Sequence, residues 1–206
     1  KAFMFLTISI SVPTAVFFLN WLCTLWGGTL RLTTPMLFVL GVVFNFAVGG
    51  LTGLFNGIQA FDVYIHDTHF VVAHFHYALA GSVLFGAFAF VYFWFPKITG
   101  RQLSHWAGTV HFWLTFILFN LAFFPMFLVG LRGYPRRIAD PTGYEFLQGL
   151  QGWNVFMGWM VLGLVLIQGL FFLNLLWSLF KGARAPANPW EAGSLAWSVS
   201  SPPPSR

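Results

Sequence analysis

Four of the six histidines fall within eleven residues, in the run Ile65-His66-Asp67-Thr68-His69-Phe70-Val71-Val72-Ala73-His74-Phe75-His76-Tyr77. The surroundings are apolar, which sets His74 and His76 about two turns inside a membrane-spanning helix. Ionisable side chains at that depth are costly and are usually functional. Residues two apart on an α-helix point roughly 200° apart. Such a pair cannot grip one metal ion together, but it can face two cofactors, one on each side of the helix. Neutral imidazole is a good iron ligand, and haem iron is commonly held by histidine. The competing reading is two buried histidines bonded to backbone or polar neighbours. A His-Phe-His triplet beside a His-Asp pair weighs against it.

Three further groups carry polar chemistry. His66 and Asp67 sit at the membrane edge, where an imidazole and an adjacent carboxylate can share a divalent ion or form a solvated loop end. His69 lies seven residues before His76, on the same face. Two readings stand for it: a group above the same cofactor, or a polar residue at a helix interface. Pro135-Arg136-Arg137 presents adjacent guanidinium groups, suited to bidentate capture of paired carboxylates or phosphates, or to lipid headgroups.

The elements that must hold these residues are membrane helices. The chain has 206 residues, 58% hydrophobic and 7% charged, against about a quarter charged in an average soluble domain. Mean hydropathy is +0.76. This composition excludes an ordinary soluble enzyme, a disordered chain and a coiled coil. A spanning helix needs about 20 mostly apolar residues, and five segments qualify: about 2–26, 36–54, 68–95, 105–131 and 151–180. The expected fold is all-α, a polytopic transmembrane bundle with residues 1–181 in the membrane region and a Pro- and Ser-rich extramembrane tail at 182–206. The segment at Lys1 does not read as a signal peptide, and the chain reads as the back part of something longer. Cys23, the single cysteine, supports neither a disulfide framework nor a thiolate metal site.

The net charge of +5 reads as membrane topology rather than nucleic-acid binding. Five spans place Arg31, Lys97, Arg101, Lys181, Arg184 and Arg206 on the tail side, and Lys1, Arg132, Arg136 and Arg137 on the other. The excess puts the tail in the cytoplasm or matrix. Arg136 and Arg137 resist that rule, which points to a local electrostatic task.

The run from His66-Asp67-Thr68 to His74-Phe75-His76-Tyr77 resembles the tenth transmembrane helix of subunit I of haem-copper cytochrome c oxidases. Val48-Gly49-Gly50-Leu51-Thr52-Gly53 is similar to the end of that family's ninth helix. Pro13-Thr14 with Asn20-Trp21 resembles its eighth, and Phe123-Phe124-Pro125 with Gly133-Tyr134-Pro135-Arg136-Arg137 resembles its eleventh and the following loop. The tail motifs Asn188-Pro189-Trp190-Glu191 and Ser201-Pro202-Pro203-Pro204 are similar to bacterial members. The resemblance implies helices eight to twelve of a twelve-helix subunit. It implies His74 on the high-spin haem iron, His76 on the low-spin haem iron, His66 and Asp67 on magnesium, and Asp62, Arg136 and Arg137 near the haem propionates. The haems would be of the A type, with copper held by ligands outside this chain. The partners implied are a chain or segment carrying the amino-terminal helices (a split subunit or the rest of one), an electron-accepting subunit II, cytochrome c or another donor, and the lipid bilayer. The expected activity is reduction of dioxygen to water with proton translocation, in a bacterial inner membrane, with the mitochondrial inner membrane as the alternative. A quinol oxidase or nitric oxide reductase of the same superfamily, and a non-catalytic membrane assembly protein, are the competing functions.

Three positions depart from the family pattern. Phe17 stands where a lysine serves a proton pathway, His69 where tyrosine is usual, and Phe127 where histidine often follows Phe-Phe-Pro. A phenyl ring relays no proton. Thr7, Ser11 and Thr14 follow a four-then-three spacing on one helical face. They offer a substitute path for water, or hydroxyls that bond to carbonyls one turn back.

Overall fold

The computed structural model describes residues 2–204. Lys1 and Arg206, which entered the charge comparison, lie outside the described residues. Five helical stretches are long and apolar enough to cross a membrane: Met4–Leu25, Thr34–Gly57, His69–Thr99, His105–Leu131 and Glu145–Lys181. No strand occurs among the described residues, so the fold is an all-α multi-pass bundle.

The first stretch is two helices, α1 (Ala2–Ser9) and α2 (Ser11–Leu25). Pro13 explains the break, because it has no N–H for the carbonyl of Ser9, four residues back. Neither helix is enclosed by the rest of the chain. The half-buried residues Thr7, Ser11, Thr14 and Phe18 mark the single packed face, and Phe18 and Trp21 meet Phe46 on the next helix.

That helix, α3 (Thr34–Gly57), starts with Pro35 in its first turn, where the missing N–H costs nothing. A short helix α4 (Gln59–Ile65) leads to the third crossing. This crossing begins as α5 (His69–Phe75), widens into a π-helical segment (His76–Leu84) and returns to α-helix as α6 (Phe85–Thr99). Gly100 ends it at φ 71°, a conformation that glycine adopts without strain. α7 (His105–Leu131) opens on Ser104, whose side chain accepts from the Ala107 N–H, and α8 (Gln151–Lys181) completes the set.

α7 is the most enclosed crossing. Its Phe112 and Phe119 join Phe38 of α3 and Phe85, Phe88 and Tyr92 of α6 in one aromatic core. Edge-to-face contacts recur there, with Phe38–Phe112 centroids 5.1 Å apart and Phe85–Phe119 5.6 Å apart, the arrangement that ring quadrupoles favour. Helix–helix contact in lipid needs small residues for close approach. A Cβ on Gly130 of α7 would lie 2.1 Å from the Phe70 nitrogen of α5, and one on Gly49 of α3 would lie 2.8 Å from the Ala78 nitrogen.

An isolated backbone bridge clips each end of the bundle. Thr68 pairs with Pro135 at one end, and Arg101 pairs with Arg184 at the other. The tail then folds back over α6. The Trp190 indole donates to the Phe93 carbonyl at 3.0 Å. Trp197, 2% exposed, stacks on Trp94 at 5.8 Å. Lys97 donates to the carbonyls of Val199 and Ser200 at 2.8 and 3.0 Å.

Candidate functional site

His74 and His76 sit at the junction of α5 and the π-helical segment, and each is half-buried. The His74 ring turns to α3. Its Nδ1 donates to the Gly49 carbonyl at 3.0 Å and lies 3.2 Å from the Thr52 hydroxyl. Gly53 makes room for the ring, since a Cβ there would stand 3.0 Å from His74 Cε1. The His76 ring turns to α7. It stacks on Phe123 with centroids 4.1 Å apart and 16° between planes, and its Nδ1 donates to the Val72 carbonyl at 2.8 Å. The two imidazoles therefore face different helices.

A carbonyl oxygen only accepts, so Nδ1 carries the proton in both rings. In a neutral imidazole Nε2 then holds the lone pair. Neither Nε2 has a hydrogen-bond partner among the described residues. A metal-bound histidine is typically aimed in this way, by a hydrogen bond from its far nitrogen.

His111 makes the contrast. It is fully buried on α7, and the spacing of the chain gave no reason to single it out. Its Nε2 donates to Gln168 Oε1 at 3.0 Å, and its Nδ1 accepts from the Tyr92 hydroxyl at 3.3 Å. With both nitrogens engaged it is a satisfied core histidine. His105, also passed over, has Nδ1 3.1 Å from the Thr34 hydroxyl.

At the end of the bundle opposite the tail, α4, α5 and the α7–α8 connection converge. Arg136 donates from Nε to Asp67 Oδ1 at 2.5 Å, and its backbone N–H donates to the Asp67 carbonyl at 2.8 Å. Two residues further on, the His69 N–H donates to the Tyr134 carbonyl at 2.9 Å, and the two rings meet at a tilt with centroids 4.4 Å apart. The structure thus places His69 at an interface with the loop, next to the end of α7. Asp67 and Arg137 hold left-handed backbone, φ 58° and 65°, which is uncommon for such residues and fits a tightly folded clip. The hydrogen bond and charge of Arg136 hold the Asp67 carboxyl below the usual carboxylate range.

His66 does not share a partner with Asp67. Its Nδ1 lies 3.6 Å from Asp62 Oδ2. Among the described residues no three His, Cys, Asp or Glu side chains come together to hold a metal ion. Any divalent ion at His66 and Asp67 must take further ligands from outside this set. Arg136 has its terminal nitrogens unpaired among the described residues, and Arg137 is exposed beside it.

On the first crossing, the Thr14 hydroxyl donates to the Ile10 carbonyl at 2.8 Å. Thr7 packs near Gly57 of α3. Phe17 is 61% exposed and points away from that packed face.

A family profile described as "Cytochrome C and Quinol oxidase polypeptide I" matches residues 1–166. Cytochrome c oxidase subunit 1 of Cereibacter sphaeroides is 43% identical over 206 residues, covering 98% of this chain and 35% of the relative. The same subunit from Synechocystis is 47% identical over 203 residues, covering 98% and 36%. In structure, a chain of a haem-copper terminal oxidase dimer solved by cryo-EM superposes with a TM-score of 0.65 at 19% identity, over 74% of this chain and 28% of that one. The chain spans about a third of the length of the curated relatives it matches. A profile match over most of its residues, carried by helices that set two Nδ1-anchored histidines on opposite sides, makes this chain a member of the cytochrome c and quinol oxidase polypeptide I family.

Proposed function

We propose that this chain supplies part of the catalytic subunit of a respiratory terminal oxidase, with His74 and His76 as axial ligands of two haem irons. The observation that carries this reading is the free Nε2 on each of two imidazoles whose Nδ1 atoms are committed to carbonyls on different sides. By the family pattern His74 takes the high-spin iron and His76 the low-spin iron. The bound haems, of the A type, supply the redox chemistry, together with copper held by ligands outside this chain.

The protein's own work is positional. Gly49 and Thr52 orient His74, Val72 orients His76, and Phe123 fixes the plane of the His76 ring. Arg136 has donors to spare for a propionate, with Arg137 next to it in the loop and Asp62 on α4 at the same end of the bundle. His66 and Asp67 contribute two ligands to a magnesium ion completed by other parts of the assembly. Both relatives described above are named cytochrome c oxidase subunit 1, which favours cytochrome c as donor through a subunit II and dioxygen as acceptor, in a bacterial inner membrane. The family description also covers quinol oxidases, and donor competition distinguishes the two.

The test is a reduced-minus-oxidised spectrum of the purified complex with His76→Asn and His74→Asn. The first variant loses the low-spin signal and keeps high-spin iron; the second does the reverse. Retention of both signals in both variants overturns the assignment.

A further inference from the structure

At the tail end, a groove of about 690 Å³ runs between α3 and α6, bounded by the α2–α3 connection and the tail. Its volume lies within the roughly 300–1,000 Å³ of typical ligand sites. Its walls are apolar, formed by Met36, Val39, Ala89, Phe90 and Phe93. Val39 is five residues into α3, about 8 Å below the helix start, and Ala89 is ten residues before the end of α6, about 15 Å below it. The groove therefore descends from the membrane boundary into the hydrocarbon. Its mouth carries one cation and one anion, Arg31 and Glu191, paired with each other in the structure.

We infer that this groove binds phosphatidylethanolamine from the tail-side leaflet, with the lipid phosphate on Arg31, the ammonium on Glu191 and the upper part of one acyl chain along Met36, Val39 and Phe90. Charge complementarity selects this lipid. A headgroup carrying both signs meets a mouth carrying both, so it exchanges one exposed ion pair for two. Exposed pairs of the Arg31–Glu191 kind hold weakly and yield to such a competitor. A purely anionic lipid meets Glu191 as a like charge. A phosphatidylcholine brings a trimethylammonium with no N–H to donate, so the carboxylate gains no hydrogen bond. Trp190 stands beside Glu191 with its ring stacked on Phe93 at 5.8 Å, the interfacial position that tryptophan favours.

The inference does not rest on the redox reading, and haem content serves only to report assembly. The purified complex is stripped of lipid, incubated with mixed micelles of phosphatidylethanolamine, phosphatidylcholine and phosphatidylglycerol in equal amounts, and washed. Retained lipid is counted by mass spectrometry. The wild-type complex retains phosphatidylethanolamine about tenfold over either competitor, a difference of affinities read directly as a ratio. Glu191→Gln removes the preference and gains phosphatidylglycerol, and Arg31→Gln lowers retention of all three. Val39→Trp fills the groove and loses the lipid with both charges intact. Equal retention of the three lipids by the wild type overturns the inference. So does an ethanolamine preference that survives all three variants, whether another lipid site or a covering protein segment is the cause.

Discussion

An imidazole ligates through one nitrogen and is aimed through the other, so the fate of Nδ1 separates the histidines of this chain. His74 and His76 spend Nδ1 on backbone carbonyls, whereas His111 spends both nitrogens inside the core. The first two were legible in the sequence because their types and spacing are unusual in an apolar helix. Their acceptors were not, since a carbonyl has no residue signature. Nor was the Asp67–Arg136 clip, whose partners are 69 residues apart. That clip has a defined pH response. The Asp67 carboxyl is held below its ordinary value of about 3.9. A depressed carboxylate stabilises the clip fully above its unfolded pKa, and the contribution is lost as pH falls through the folded one. Exchange at the Arg136 amide relative to its intrinsic rate, measured on the complex from about pH 7 down to about pH 2, should stay slow above roughly pH 5 and rise as the carboxyl protonates below roughly pH 4. In Asp67→Asn it should be several-fold faster throughout and show no such step. An unchanged profile in the variant would refute the clip.

Between residues and molecule stand the helices, and here hydropathy revealed the number of crossings but not their irregularities. Pro13 signalled the break after Ser9 in retrospect. The π-helical segment from His76 to Leu84 has no comparable marker; within it Gly81 packs so closely on α3 that a Cβ there would lie 2.7 Å from that of Asn45. π-helical turns are frequent at functional sites, and this one begins at a proposed iron ligand. The seam between α5 and α7 gives a sharper test. A Cβ on Gly130 meets the Phe70 backbone, which cannot swing aside. Gly130→Ala should therefore cost roughly 1–3 kcal/mol or more by overpacking, seen as a lower thermal midpoint and weakened low-spin haem absorbance. Gly50→Ala, with open space around it, should stay within about 0.5 kcal/mol. Equal effects would deny the seam its role.

For the molecule as a whole, the tail closes one end much as the Asp67–Arg136 clip closes the other. The composition of residues 182–206 reads as a solvated extension, yet Trp190 and Trp197 dock it on α6. The reason is local. Pro96 gives the Tyr92 carbonyl no donor, and Lys97, 7% exposed, needs the carbonyls of Val199 and Ser200. Trp197→Ala should destabilise the complex by about 3–5 kcal/mol, read as thermal unfolding in detergent. Leu195→Ala, at 89% exposure, should change it by no more than about 0.5 kcal/mol. A tail variant as mild as Leu195→Ala at Trp197 would show the docking to be incidental.

The main-chain acceptors of the two histidines have a consequence in the currency of heredity. A codon change can delete a side-chain partner, but it cannot delete the carbonyl of Gly49 or Val72. The aim of both imidazoles is thus written largely in the path of the chain, and single substitutions reach it through the packing residues Thr52, Gly53 and Phe123. An engineer wishing to retune these ligands has only such packing positions to exchange, and to move the acceptors themselves must bend a helix.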